Sequence, residues 1–174
     1  MERIAVISDT HIPERASSLP ASLMDTIAGC DLLVHAGDFT RIQVLDELAN
    51  FMPVKAVYGN MDEDVLQRKL PERVVFQVAG ITVGVTHGWG APVGIIQRIS
   101  SIFAGDRPDV VIFGHTHQPL VKQYNGLVYL NPGSPTDTVF APYFSFGILE
   151  IEQGRIKKMN IIRLQAGNSA KKQY

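Results

Sequence analysis

The chain has 174 residues, a formal net charge of −1 and a hydrophobic share of 45%. Those values suit a globular protein able to bury a core, and they lack the basic surface that capture of duplex nucleic acid requires. A lone cysteine, Cys30, excludes an internal disulfide and favours a reducing compartment. The first apolar run, Ile4–Ile7, is too short for a signal peptide or membrane span, so a cytoplasmic protein with no membrane attachment is expected.

Short, almost continuous apolar runs mark strands buried on both faces. Four occur: "RIAVIS" (3–8), "DLLVHAG" (31–37), "VKAVYG" (54–59) and "DVVIFG" (109–114). Helical patterns fill 19–28 and 41–50, the second with Thr40 as its expected N-cap. Strand and helix alternating at this spacing predict a largely parallel sheet. The C-terminal half differs. Ala79-Gly80, Asn125-Gly126 and Gln153-Gly154 each divide two strand-like runs and predict hairpins, and a helix is expected over 93–104. The tail after 164 lacks periodicity and reads as frayed. The pattern predicts one domain over 1–164, with two sheets flanked by helices.

The polar residues fall at the strand ends, where open α/β sheets gather ligands. Asp9 and His11 follow the first run, His35 and Asp38 the second, and Asn60 the third; His87 ends a hairpin strand, and His115 and His117 follow the fourth run. Alone, each has an ordinary role: Asp9 and Asp38 as helix or turn caps, His35 as a packed histidine, His87 and Asn60 as turn residues. In "GHTH" (114–117) the two imidazoles would face the same way if the segment were extended. Taken together, imidazoles, carboxylates and one amide oxygen from five strand ends converge on one edge. Such a mixed N/O set suits Mn, Fe, Zn or Ni, and seven side chains are enough for two ions.

The ordered motifs "SDTH", "HAGD", "YGNMD", "THG" and "GHTH", followed by "NPGS" at 131–134, resemble those of the calcineurin-like metallophosphoesterases. Over residues 4–163 the chain resembles the small bacterial and archaeal phosphodiesterases of that superfamily. The resemblance implies an α/β fold, a four-layer αββα sandwich of two mixed sheets flanked by helices. It implies one divalent ion on Asp9, His11, Asp38 and His117 and a second on Asp38, Asn60, His87 and His115, with Asp38 bridging. His35 would support the site without ligating. The implied activity is phosphodiester hydrolysis, with a metal-bridging hydroxide attacking phosphorus in line. Asp38, Asn60 and His87 would act through the bound ions, Mn being expected and Ni, Fe or Zn the alternatives. A small phosphoester is the implied substrate, and a homo-oligomer is left open.

Two alternatives use the same fold: phosphomonoester or pyrophosphate hydrolysis on the same metal core, and a non-catalytic interaction scaffold. Many superfamily members place a proton-donating histidine directly after Gly-Asn; here Met61 stands there, and Asp62 would need a strongly raised pKa to act as an acid. Asp62, Glu63 and Asp64 read as the opening of the next helix. Arg15, Arg41 and Arg98 are candidate phosphate clamps with solvated surface charge as the ordinary alternative, and Asn131 and Ser134 could donate to a phosphate or simply build a turn. Trp89 reads as pocket-lining or packing, and Cys30 as an inert buried thiol. Specificity is expected from the loops 12–18, 88–94 and 131–142.

Overall fold

The computed structural model describes residues 1–165; the tail predicted over 165–174 lies, after Gln165, outside the described residues. In chain order the elements are β1 (Glu2–Ile7), α1 (Ala21–Ile27), β2 (Leu32–His35), α2 (Ile42–Phe51), β3 (Val54–Ala56), α3 (Asp64–Lys69), β4 (Arg73–Val78), β5 (Ile81–Thr86), α4 (Ile95–Ile102), β6 (Val110–Ile112), β7 (Leu120–Tyr124), β8 (Leu127–Asn131), β9 (Ser145–Glu152) and β10 (Arg155–Arg163). They form two five-stranded sheets, ordered β10-β9-β1-β2-β3 and β4-β5-β6-β8-β7.

Both sheets are mixed. β1, β2 and β3 run parallel, while β9 joins β1 antiparallel. In the second sheet β5, β6 and β8 run parallel between two antiparallel edges. The C-terminal hairpin therefore completes the N-terminal sheet, and "DVVIFG" belongs to the other one. The sheets stack through Val6, Val34 and Leu149 from one and Val83, Val110 and Ile112 from the other. On the outer face of the first sheet, Ala5, Ile7 and Leu33 pack against Leu23 and Ile27 of α1, Leu45 and Leu48 of α2, and Leu66 of α3. On the outer face of the second, Val111, Phe113 and Tyr129 meet Ile95, Ile99 and Phe103 at α4. The layers are α, β, β, α.

Each hairpin turns where it was expected, and in each the two central residues have positive φ: Ala79 and Gly80 (47° and 83°), Asn125 and Gly126 (49° and 80°), Gln153 and Gly154 (50° and 70°). Those angles match the twist of paired strands. The expected cap of α2 does not form. Thr40 adopts φ 76° and directs its hydroxyl to Ile12 O (2.6 Å), while Arg41 holds the cap position without a side-chain bond. The Ile42 amide is instead met by Glu63 Oε1 at 2.7 Å, from another loop.

Strand register sets the geometry of the site. Ile7 lies beside His35 and His35 beside Ala56, so the loops after β1, β2 and β3 leave the sheet at one level. Val85, Ile112 and Leu130 are aligned in the same way, so the loops after β5, β6 and β8 do likewise. Backbone amides join neighbouring loops: Asp9 N donates to Gly37 O (2.9 Å), His11 N to Asp38 O (3.1 Å) and Gly114 N to His87 O (3.1 Å).

Candidate metal centre

Two carboxylates, Asp9 and Asp38, lie buried at the edge where these loops meet, 0% and 2% exposed. Three imidazole Nε2 atoms surround them. His117 is 3.3 Å and His11 4.0 Å from Asp9 Oδ1, whereas His87 is 3.3 Å and His11 3.6 Å from Asp38 Oδ2. Among the described residues, Asp9, His11 and His117 form one group whose ligand atoms lie within 4.8 Å of one another; Asp9, Asp38 and His87 form a second. Asp9 is common to both groups, and Asp38, a member of the second, also faces His11 of the first. Asn60 and His115 line the same cleft, the His115 ring edge-on to His87 with centroids 5.3 Å apart; His115 Nδ1 faces Asn60 Oδ1 at 3.1 Å and its Nε2 faces Gly90 O at 2.9 Å.

The loops reach this arrangement through left-handed backbone. Asp9 and His11 (φ 55° and 42°), Asp38 and Thr40 (59° and 76°), and His115 and His117 (68° and 57°) repeat it at alternate positions. Positive φ is uncommon outside glycine, and strain of this kind persists only where surrounding contacts hold it. The condition under which the two imidazoles of "GHTH" would face the same way, an extended segment, is therefore not met. Thr116 N turns back to Gly114 O at 2.8 Å, so His117 meets Asp9 while His115 meets Asn60. Glycine makes the close approach feasible at two points. A Cβ on Gly114 would stand 2.7 Å from Asp9 Oδ2, and one on Gly59 would stand 2.5 Å from Asp38 N.

Polar contacts behind the ligand atoms fix which ring nitrogen faces the carboxylates. His87 Nδ1 donates to Ala36 O (2.8 Å), which leaves Nε2 buried with no hydrogen-bond partner among the described residues. An imidazole nitrogen with no hydrogen-bond partner beside two carboxylates is a donor set that fits a divalent cation once the cation displaces its proton. His117 Nδ1 donates to Asp137 Oδ2 (2.5 Å), turning its Nε2 toward Asp9. Burial opposes charge on both rings, but neighbouring carboxylates outweigh it. Asp38 and Asp9 lift His87 to about 9, and Asp9 and Asp137 lift His117 to about 8. Burial wins at His11, which is held below its ordinary value.

His35 is fully buried and has both ring nitrogens occupied. Nδ1 accepts from Gly37 N (3.2 Å), Nε2 meets Thr10 Oγ1 (3.2 Å), and the ring stacks on Phe39 with centroids 3.4 Å apart. Burial, reinforced by His87, keeps it neutral, so it braces the loop carrying Asp38.

Other expectations are revised. Asn131 donates to Gly114 O (2.8 Å) and Ser134 to Asp9 O (2.7 Å); both are fully buried braces and unavailable to a phosphate. Arg98 is bound to the Trp89, Ala91 and Val93 carbonyls, and Arg41 pairs with Glu14 and Glu63. Arg15 lines the cleft, its Nε 3.4 Å from Asp137 Oδ1. Trp89 is 46% exposed and is not core packing. Cys30 is half-buried, its thiol donating to Thr26 O.

Asp62 does not behave as a helix-opening residue. It is 4% exposed and accepts from Asp38 N (3.1 Å), Gly59 N (2.8 Å) and Thr40 N (2.7 Å). Burial raises its pKa against those amides, yet both oxygens are occupied and it does not line the cleft. Met61 does, at 58% exposure, while its amide donates to Asp38 Oδ1 (2.8 Å). Sequence reasoning missed Asp137. Its one local cue was an acidic residue six positions after Asn131 in a Pro/Ser/Thr-rich loop, and the partners that tie it to the site, His117 and Arg15, are distant in the chain.

Comparison with known proteins agrees with this geometry. Residues 2–154 match the calcineurin-like phosphoesterase superfamily domain. A "Probable metallophosphoesterase" of Methanothermobacter thermautotrophicus is 42% identical over 133 residues, covering 76% of this chain and 77% of that protein. The solution NMR structure of a Thermotoga maritima protein superposes with a TM-score of 0.75 at 33% identity, over 94% of this chain and 100% of the other. Vps29 from Entamoeba histolytica, solved in complex with Zn²⁺, gives 0.73 at 25% identity, over 93% and 98%. With the motif order, the two-sheet sandwich and the carboxylate–imidazole groups all in place, the chain belongs to the calcineurin-like metallophosphoesterases.

Proposed function

We propose that the protein is a metal-dependent phosphodiesterase whose centre holds two divalent ions. The observation that carries this reading is the placement of Asp9 and Asp38 between His11, His117 and His87, with His87 Nε2 buried and unpaired among the described residues. Asp9, His11, Asp38 and His117 would hold one ion and Asp38, Asn60, His87 and His115 the other, Mn²⁺ being the first choice. Bound there, the ions would supply Lewis acidity toward a phosphoryl oxygen and make water nucleophilic near neutral pH.

The chain's own residues account for the rest. The two carboxylates offset cationic charge, and Asp137 and Ala36 O keep His117 and His87 in fixed tautomers. The cleft, about 610 Å³, is walled by Met61, Pro92 and Phe140 besides its polar floor. Arg15 is the arginine in the wall free of the Glu14–Glu63 pairing that engages Arg41, and Asp137 already partners it. A monoanionic diester with an organic second substituent suits such walls better than a dianionic monoester, which asks for more cationic partners. Met61 offers no proton and Asp62 is enclosed, so good leaving groups are favoured.

The test is a screen of Mn²⁺-loaded protein on bis(p-nitrophenyl) phosphate and p-nitrophenyl phosphate, with elemental analysis of the same sample. Faster turnover of the diester is expected; preference for the monoester would reverse the assignment. An interaction scaffold is the second reading, favoured by an apolar groove of about 450 Å³ lined by Ile12, Leu19, Met24, Val44, Leu48 and Phe51. Turnover of neither ester with metal bound would select it.

A further inference from the structure

Phe140 is 63% exposed beside a floor of buried carboxylates and imidazoles. Isolated exposed apolar side chains are ordinary; what distinguishes this one is how firmly it is presented. The buried Asp137 carboxylate accepts from the amides of Val139 (2.9 Å), Phe140 (2.9 Å) and Ala141 (3.2 Å), which fixes the turn that carries the ring. The ring stands perpendicular to His117, with centroids 5.7 Å apart at 85°. The Arg15 guanidinium lies 5.7 Å from its centroid and is tethered to the same Asp137. Met61 and Pro92 continue an apolar rim around the cleft. Trp89 lines an adjoining cleft that also contains Asn60 and His87.

We propose that Phe140, backed by Arg15, is a platform on which an aromatic substituent of the substrate lies, so that the cleft selects phosphodiesters carrying an aryl group or a nucleobase. This rests on the diesterase reading above. The floor takes the phosphoryl group, and the rim meets whatever organic group is attached to it. A ring on that group gains an edge or face contact with Phe140 beyond the area it buries, whereas an alkyl chain gains the area alone. The amide bonds of Asp137 set the turn before substrate arrives, so little ordering opposes the contact.

The experiment keeps p-nitrophenolate as leaving group and varies the other ester substituent: methyl, octyl, phenyl and thymidine 5′-yl. For Mn²⁺-loaded protein, phenyl and thymidine esters are expected to exceed the methyl ester in kcat/KM by roughly 3–10-fold. Phe140→Ala and Phe140→Leu should both collapse that ratio. Phe51→Ala, which removes an exposed phenylalanine on α2, should keep it. Calorimetric binding of diphenyl phosphate against dimethyl phosphate should show the same preference and the same loss. A ratio near one in the wild type, a ratio that survives Phe140→Ala, or an octyl ester matching the phenyl ester would overturn the platform alone. No turnover of any diester would overturn the diesterase reading and the platform with it.

Discussion

Asp137 Oδ2 receives the Nδ1 proton of His117 at 2.5 Å, and the opposite ring nitrogen stands 3.3 Å from Asp9. Backbone amides and His117 hold the Asp137 carboxyl down to about 2 against the effect of its burial, so it stays ionised and keeps His117 in one tautomer. Replacing Asp137 by Ala should weaken one of two Mn²⁺ binding steps by about 10–100-fold. The step at His87 should change little, because Ala36 O orients that ring independently. Calorimetric titration separates the steps; equal loss at both would contradict the assignment.

Protons and metal should compete at His87 and His117. Both rings titrate above the ordinary 6.5, at about 9 and about 8. A folded-state pKa raised in this way contributes stability that is fully present below 6.5 and lost as pH climbs through about 8 and then about 9. The metal-free protein should therefore melt at a lower temperature above that window than below it. Cation binding must displace the same protons, so apparent Mn²⁺ affinity should rise across the window. Binding heats measured in HEPES and in Tris should differ by the protons released; identical heats would contradict this.

Met61→His places an imidazole on the cleft wall where Met61 is now 58% exposed. General acid assistance contributes about 10²–10⁴-fold where geometry is right. The substitution should accelerate alkyl diesters far more than p-nitrophenyl diesters, whose leaving group departs without a proton. An equal change across leaving groups, read from kcat on a graded series, would show that Met61 does not mark the missing donor.

The strand-end positions of the site were legible because buried strands are marked by apolar runs and ended by Gly, Asp and Asn, and because parallel register aligns those ends. The hairpins were legible through Asn125-Gly126 and its relatives, whose turn conformation is a local property. The roles of Asp137 and Asp62 were not legible, since the His117 ring and the Asp38 and Thr40 amides that they hold are brought to them by folding. Thr40 misled for the same reason: its hydroxyl finds Ile12 O, 28 residues away, instead of its own helix. The pairing of the C-terminal hairpin with β1 depends on burying Leu149 and Ile151 between the sheets, which no local pattern states.

Gly59→Ala tests how tightly the loops are packed. The added methyl would crowd Asp38 N at 2.5 Å and also press on the Asp38 carboxylate. Overpacking of this kind costs about 1–3 kcal/mol. Thermal melts should show that loss, together with weakened metal binding. Gly126→Ala, at a turn with open space around it, should disturb metal binding far less even though its φ of 80° strains the turn.

The central claim is that Asp9, Asp38 and the histidines around them hold the two divalent ions required for phosphodiester hydrolysis. The most direct measurement is a Mn²⁺ titration of chelator-treated protein, following bound metal per chain and bis(p-nitrophenyl) phosphate turnover in one sample. The expected result is negligible activity without metal, full activity as the second ion binds, and loss of both binding and turnover in Asp38→Asn. Full activity in the metal-free protein, or activity complete with Asp38→Asn, would contradict it.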